Sequence, residues 1–275
     1  MIKLDPCTDE YRNWSKHETF SRTCIPPGTP FFLRLDGWKF RKLSEAIKAE
    51  KPFDEKFAKC LVSSGKILFT KGFRPALLYM ASDEINILFL NAAPFRGRIE
   101  KVNSVLASLV SSAFTLNLRK FFVKENFAAF DSRIVVVLND GKIMEYLAWR
   151  QMNSWRNHNN AYAYWVFHKM GHKPSEISKK LKGLKTEELH EIMFRQGVNL
   201  AKTPQWQRRG ILVYKQPFLR KVENCFVTRW KINENWKLPL FTSGDGVKLI
   251  KQILEWTRQD KRGKSNCPSN KKSGN

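Results

Sequence analysis

A strand that ends on a charged turn constrains this chain more than any other stretch. Phe31-Phe32-Leu33-Arg34-Leu35 has strand-like composition and runs straight into Asp36-Gly37 and a basic-aromatic loop, Trp38-Lys39-Phe40-Arg41. Pro26-Pro27-Gly28-Thr29-Pro30 marks where the strand begins, because proline and glycine punctuate turns. A carboxylate at the carboxyl end of a buried strand, followed by glycine, can hold a hard cation. The strand fixes the ligand, and glycine lets backbone groups approach the metal and its phosphates. Asp-Gly is equally an ordinary turn signal, so the reading needs a second carboxylate brought alongside.

Ala76 to Leu90 supplies one. Two apolar runs flank Ser82-Asp83-Glu84, the pattern of a β-hairpin. Before it, Phe53, Phe57, Cys60 and Leu61 recur at helical spacing; after it, Ile99, Val102, Val105, Leu106, Leu109, Val110, Ala113 and Phe114 predict a longer amphipathic helix. Ser132 to Leu138 reads as a β-branched strand closed by Asn139-Asp140-Gly141. The order β-α-β-β-α-β predicts an α+β protein built on the ferredoxin-like unit. In that unit the first and third strands are antiparallel neighbours, which places Asp36 beside Asp83. Two carboxylates so close repel unless a divalent cation neutralises them or one stays protonated. The competing assignment is a helix cap and a solvated turn.

The formal charge of +24, from 49 Lys+Arg against 25 Asp+Glu, calls for a polyanionic partner, with nucleic acid first. No apolar run approaches the roughly 20 residues needed to span a bilayer. Five cysteines without a Cys-x-x-Cys pair, and no apolar signal core in Met1-Ile2-Lys3-Leu4-Asp5-Pro6, point to a cytoplasmic protein.

Past Gly141 the character changes. Tyr146, Leu147, Trp149, Trp155, Tyr162, Trp165 and Val166 anchor a helical stretch that also carries Arg150, Gln151, Asn153, Arg156, Asn157, His158, Asn159 and Asn160. Burying so many amides and cations is costly without partners, and phosphates and bases could be those partners. Gln205-Trp206-Gln207-Arg208-Arg209-Gly210 resembles a basic turn feeding the strand that opens at Ile211, and arginine beside tryptophan suits phosphate contact with stacking. The expected organisation is a catalytic palm over residues 1–140, an RNA-binding region of helices and strands over 141–260, and a disordered basic tail over 261–275.

Leu35-Asp36-Gly37-Trp38-Lys39-Phe40, Lys51-Pro52-Phe53-Asp54, Ser82-Asp83-Glu84, Phe130-Asp131-Ser132-Arg133 and Trp149-Arg150-Gln151 occur in order. Together they closely resemble the tRNA-His guanylyltransferase family, including its archaeal and bacterial members that extend RNA in the 3′→5′ direction. The resemblance covers about Pro26 to Tyr214.

It implies a polymerase-like palm, homotetramers, and two Mg²⁺ ions held at positions matching Asp36, the Gly37 carbonyl and Asp83. It also implies ATP and GTP as substrates beside tRNA. The triphosphate would lie against Gly37 to Arg41, with Lys51, Ser82, Arg98, Asn157 and Asn199 contacting nucleotide or phosphate and Asp54 and Glu84 supporting the site. Arg133, Arg150, Arg156, Arg208 and Arg209 are the expected RNA contacts. Eukaryotic members carry His-Ile-Asn-Asn where this chain has Trp155-Arg156-Asn157-His158, and Leu189 stands where many members have lysine. Those departures point to template-directed addition. A palm-fold nucleotidyl cyclase would use the same carboxylates, and a non-catalytic RNA-binding protein would use neither.

Overall fold

The structure, a computed structural model, describes residues 14–90, 93–123, 126–222 and 225–260. The expected tail, 261–275, lies outside the described residues. Strand β1 (Phe31–Gly37) pairs antiparallel with β3 (Glu84–Phe89) on one side and β4 (Phe130–Val136) on the other. Strand β2 (Leu77–Ala81) pairs with β3 through the two-residue turn Ser82-Asp83. These four strands run in the order β4-β1-β3-β2, the ferredoxin-like arrangement expected from the sequence.

On one face lie α1 (Phe40–Ala46), α2 (Glu55–Thr70) and α3 (Ile99–Phe121). Alternation puts Leu33, Leu35, Ile85 and Ile87 on that face, where they pack with Leu61, Leu68, Val102, Leu106 and Phe114 of the helices. Phe53 is not in α2. It precedes the helix N-cap, Asp54, whose carboxylate accepts from Phe57 N at 3.0 Å. Asn139 likewise opens a helix rather than closing a strand: its side chain accepts from Lys142 N at 2.9 Å and caps α4 (Asp140–Lys169). Accordingly β4 starts and stops two residues earlier than the β-branched run indicates.

Downstream of α4 come α5 (Pro174–Leu181), α6 (Thr186–Arg195) and α7 (Gln205–Arg209). Strands β5 (Ile211–Val222) and β6 (Cys225–Asn235) then form a long hairpin that adds to β2, giving a six-stranded sheet. Helix α8 (Gly244–Gln259) and the first half of α4 cover the second face, where Phe32, Leu77, Tyr79 and Leu88 meet Ile143, Leu147, Ile250 and Leu254. Beyond the sheet, the second half of α4 builds a small core with α5 and α6 from Ala163, Phe167, Ile177, Leu189 and Met193. None of the described helices is long and apolar enough to cross a membrane.

Candidate active site

The register of three strands lines up charge on the α4 face of the sheet. Asp131, Asp36 and Glu84 stand directly opposite one another across β4, β1 and β3, and two residues along each strand the next row reads Arg133, Arg34 and Asn86. Opposed residues in an antiparallel pair share a face, so an acidic row sits at the rim with a basic row behind it. Arg133 reaches Asp131 at 2.9 Å. One nitrogen of Arg34, Nη2, lies 2.8 Å from Asp36 Oδ2 and 2.8 Å from Glu84 Oε2.

Glu84 is only 5% exposed and takes donors on both oxygens. Arg150 Nε donates to Oε1 at 2.8 Å, Arg150 Nη2 donates to Oε2, and Asn86 Nδ2 donates to Oε1 at 2.7 Å. Tyr146 closes the network with its hydroxyl 2.6 Å from Asn86 Oδ1. Burial, with Glu84 adding to it, pushes the Tyr146 phenol up to about 12. A carboxylate so fully paired is a support, not a free ligand or base.

Asp83 sits in the turn beside Asp36, tied to β1 by the Gly37 N–H donating to its carbonyl at 3.2 Å. Burial and then the Asp36 charge push its carboxyl up to about 6. Two carboxylates placed so can serve as donors to a divalent cation. Magnesium is characteristically held by one or two carboxylates, with water and substrate phosphates completing the shell. Among the described residues no group of three or more His, Cys, Asp or Glu side chains is arranged to hold a metal, so phosphate oxygens would have to complete it. The residues present fit that arrangement.

The loop after β1 is shaped for close approach. A Cβ at Gly37 would meet the Phe40 ring at 2.4 Å, and Phe40 itself is buried against Phe57, Phe114 and Phe130. Phe40 can therefore offer a ligand only its backbone. Trp38 is exposed, with Lys39 Nζ 4.1 Å from its ring centroid, and Arg41 is exposed against Glu45. Lys51 precedes a cis proline and contacts Ser44 Oγ at 2.5 Å; burial holds its ammonium below the usual lysine range. Asp54 spends both oxygens on Phe57 N and Glu50 N. Phe53 stacks on His158, which contacts Asn159 Oδ1 and Thr203 Oγ1, each at 2.9 Å. The loop carrying Lys51 is thus docked on α4.

The remaining expected contacts are spread out. Ser82 is exposed at the turn with φ 56, beside Asp83. Arg98, exposed, caps α3 and touches Phe95 O at 3.4 Å. Asn199 caps a short 3-10 turn through Ala201 N, and Asn157 and Arg156 are exposed on α4. Arg208 and Arg209 are half-buried on backbone carbonyls of Thr203 and Leu238. Three of the buried or half-buried polar side chains of α4 find protein partners, while Trp155 Nε1 is buried with no partner among the described residues. Arg150 pairs with Glu84, Gln151 bonds to Phe241 N, Pro239 O and Arg209 O, and His158 bonds as above. Sequence reading missed Arg34, Asn86 and Tyr146. The signal was the period-two polar pairs Arg34/Asp36 and Glu84/Asn86 inside otherwise apolar strands.

Sheet order, helices packed on the sheet and a carboxylate pair at the rim define a polymerase-type palm. Residues 11–138 match the family model "tRNAHis guanylyltransferase", and residues 141–273 match "Thg1 C terminal domain". The chain is 28% identical to the tRNA(His) guanylyltransferase of Candida glabrata, over 74% of this chain and 87% of that one. It is also 28% identical to that of Saccharomyces cerevisiae, over 74% and 88%. With tRNA(His) guanylyltransferase 1 of Arabidopsis thaliana the identity is again 28%, over 75% of this chain but 37% of that longer protein. Among solved structures, the yeast enzyme superposes with TM-score 0.66 at 27% identity over 72% of this chain and 91% of that one. A bacterial tRNA(His) guanylyltransferase-like protein in complex with ATP superposes with TM-score 0.71 over 89% and 99%, at 24% identity, which speaks to the fold. The chain belongs to the tRNA(His) guanylyltransferase family, whose members are nucleotidyltransferases.

Proposed function

We propose that this protein adds nucleotides, GMP from GTP in the first instance, to the 5′ end of tRNA in the 3′→5′ direction, with the opposite strand of the acceptor stem as template. The observation that carries the reading is the Asp36–Asp83 pair at the palm rim, with Glu84 immobilised behind it. The 3′-hydroxyl of the incoming nucleoside triphosphate attacks the activated 5′ phosphorus of the RNA. The leaving group is pyrophosphate from a 5′-triphosphate end, or AMP from a monophosphate end first adenylylated with ATP. Divalent cations held by Asp36, Asp83 and the Gly37 carbonyl would lower the pKa of the attacking hydroxyl and neutralise phosphate charge. Lys51 and the exposed Trp38, Lys39 and Arg41 are the groups that would meet the triphosphate. Replacement of the eukaryotic His-Ile-Asn-Asn run, and the burial of Leu189 in the α4–α6 core, support templated choice of nucleotide over a dedicated guanosine pocket.

The test offers 5′-monophosphate and 5′-triphosphate tRNAs, with and without the first nucleotide, against each nucleotide with Mg²⁺. Addition that follows the opposing base is expected. Asp36→Ala and Asp83→Ala should each slow it by about three orders of magnitude while tRNA binding persists. Incorporation retained in both variants would overturn the site. Cyclic nucleotide made from triphosphate alone would replace the reading with a cyclase.

A further inference from the structure

The acidic rim carries its own cation, and that cation bears on how metal is taken up. The inference rests on the reading of Asp36 and Asp83 as the cation-binding pair. Arg34 Nη2 is shared between Asp36 Oδ2 and Glu84 Oε2, at 2.8 Å each, and its Nε is buried with no partner among the described residues. Glu84 has little need of Arg34, because Arg150 donates through two nitrogens and Asn86 through a third. Asp131 and Arg133 answer each other at 2.9 Å. That leaves the guanidiniums of Arg34 and Arg150 against the carboxylates of Asp36 and Glu84, with Asp83 beside Asp36, so the three carboxylates and two guanidiniums leave a formal balance of one negative charge rather than three. A divalent cation arriving alone meets weak attraction and displaces a charge-assisted hydrogen bond. One arriving with a triphosphate brings the missing negative charge and the missing oxygen ligands.

We propose that Arg34 is the resident counter-ion of the metal site. It holds Asp36 while no divalent cation is bound, keeps affinity for the free ion low, and makes uptake conditional on nucleoside triphosphate. When the ion binds, Arg34 releases Asp36 and stays with Glu84.

Mn²⁺ binding to the full chain, followed by electron paramagnetic resonance with and without a non-hydrolysable GTP analogue, tests this once Mn²⁺ held by free analogue is subtracted. The unmodified chain should bind Mn²⁺ at least about tenfold more tightly with the analogue than without. Arg34→Gln should raise nucleotide-free affinity by roughly tenfold or more, as expected when a like charge within a few ångströms of the ion is removed. Arg34→Lys, which keeps the charge, should stay near the unmodified chain. Unchanged or weakened nucleotide-free binding in a folded Arg34→Gln protein overturns the proposal, and so does an Arg34→Lys protein that behaves like Arg34→Gln. Should Arg34→Gln fail to fold, the unmodified chain decides. The Nε–H resonance of Arg34, assigned with Arg34→Lys, must move with Mg²⁺ plus analogue and hold still with Mg²⁺ alone; movement with Mg²⁺ alone refutes the idea. Asp36→Asn separates the two levels. If analogue-dependent Mn²⁺ binding survives that change, the acidic-pair reading fails, whatever Arg34 does.

Discussion

Asp83 and Glu84 are neighbours in sequence and opposite in chemistry, and environment alone separates them. Glu84 takes donors on both oxygens; Asp83 is pushed up to about 6 by burial and then by Asp36 beside it. A carboxyl whose folded pKa lies above its unfolded value near 3.9 binds more protons when native between those values. Stability then falls as pH rises from about 4 through 6. Asp83→Asn should remove that loss and stabilise the chelator-treated chain at pH 7–8, by up to about 2 kcal/mol after allowance for screening. Urea melts of both proteins at pH 4 and pH 7.5 check this: the gap should open only at the higher pH. Arg150 makes the converse case. Its guanidinium and Glu84 are only 11% and 7% exposed, so Arg150→Ala takes two donors from a buried carboxylate that keeps only Arg34 and Asn86, and should cost about 2–3 kcal/mol. A surface RNA contact would instead weaken tRNA binding and leave the melting temperature alone, so calorimetry beside a binding titration distinguishes them.

At the scale of elements, the junction between α7 and β5 sets how the hairpin joins the palm. Gly210 adopts φ +79, and a Cβ there would meet Met80 O at 2.5 Å and the Tyr79 ring at 2.6 Å. Backbone and a buried ring cannot move aside cheaply, so Gly210→Ala should destabilise by about 2 kcal/mol or more. Chemical denaturation measures it, and a cost below about 0.5 kcal/mol would mean the β2–β5 contact is loose. Legibility from sequence divides along the same line. Strands β1 and β3 were readable because long apolar runs end on turn residues, and their antiparallel adjacency carried Asp36 to Asp83. The joining of β5 to β2 was not, since pairing partners far apart in the chain leave no local mark. Nor could the composition of α4 tell which polar residues would find protein partners. Gln151 is satisfied by Phe241 N and Pro239 O, groups about ninety positions away. Asn139 misled because turn and helix cap draw on the same residue types.

For the whole molecule, the excess of positive charge must be reconciled with a site whose own arginines are mostly engaged. Arg34, Arg133 and Arg150 pair with carboxylates, and Arg208 and Arg209 donate to backbone carbonyls. On the proposed reading, the charge that meets RNA is carried by exposed groups such as Arg156, Lys179, Lys180, Lys182, Arg220 and Lys221. Contacts of that kind act by releasing counterions, and affinity falls as a power of salt concentration. If the protein acts on tRNA as proposed, its apparent tRNA constant should weaken by about a hundredfold or more between 50 and 200 mM salt. GTP binding, governed by a few groups at the palm rim, should change far less. Arg150→Ala should leave the logarithmic salt slope as it was, whereas neutralising Lys179, Lys180 and Lys182 together should flatten it. Filter binding across a salt series measures both. A slope that Arg150→Ala flattens and the lysine changes leave intact would place the RNA over the acidic rim, and would require the Arg150–Glu84 pair to open when RNA binds.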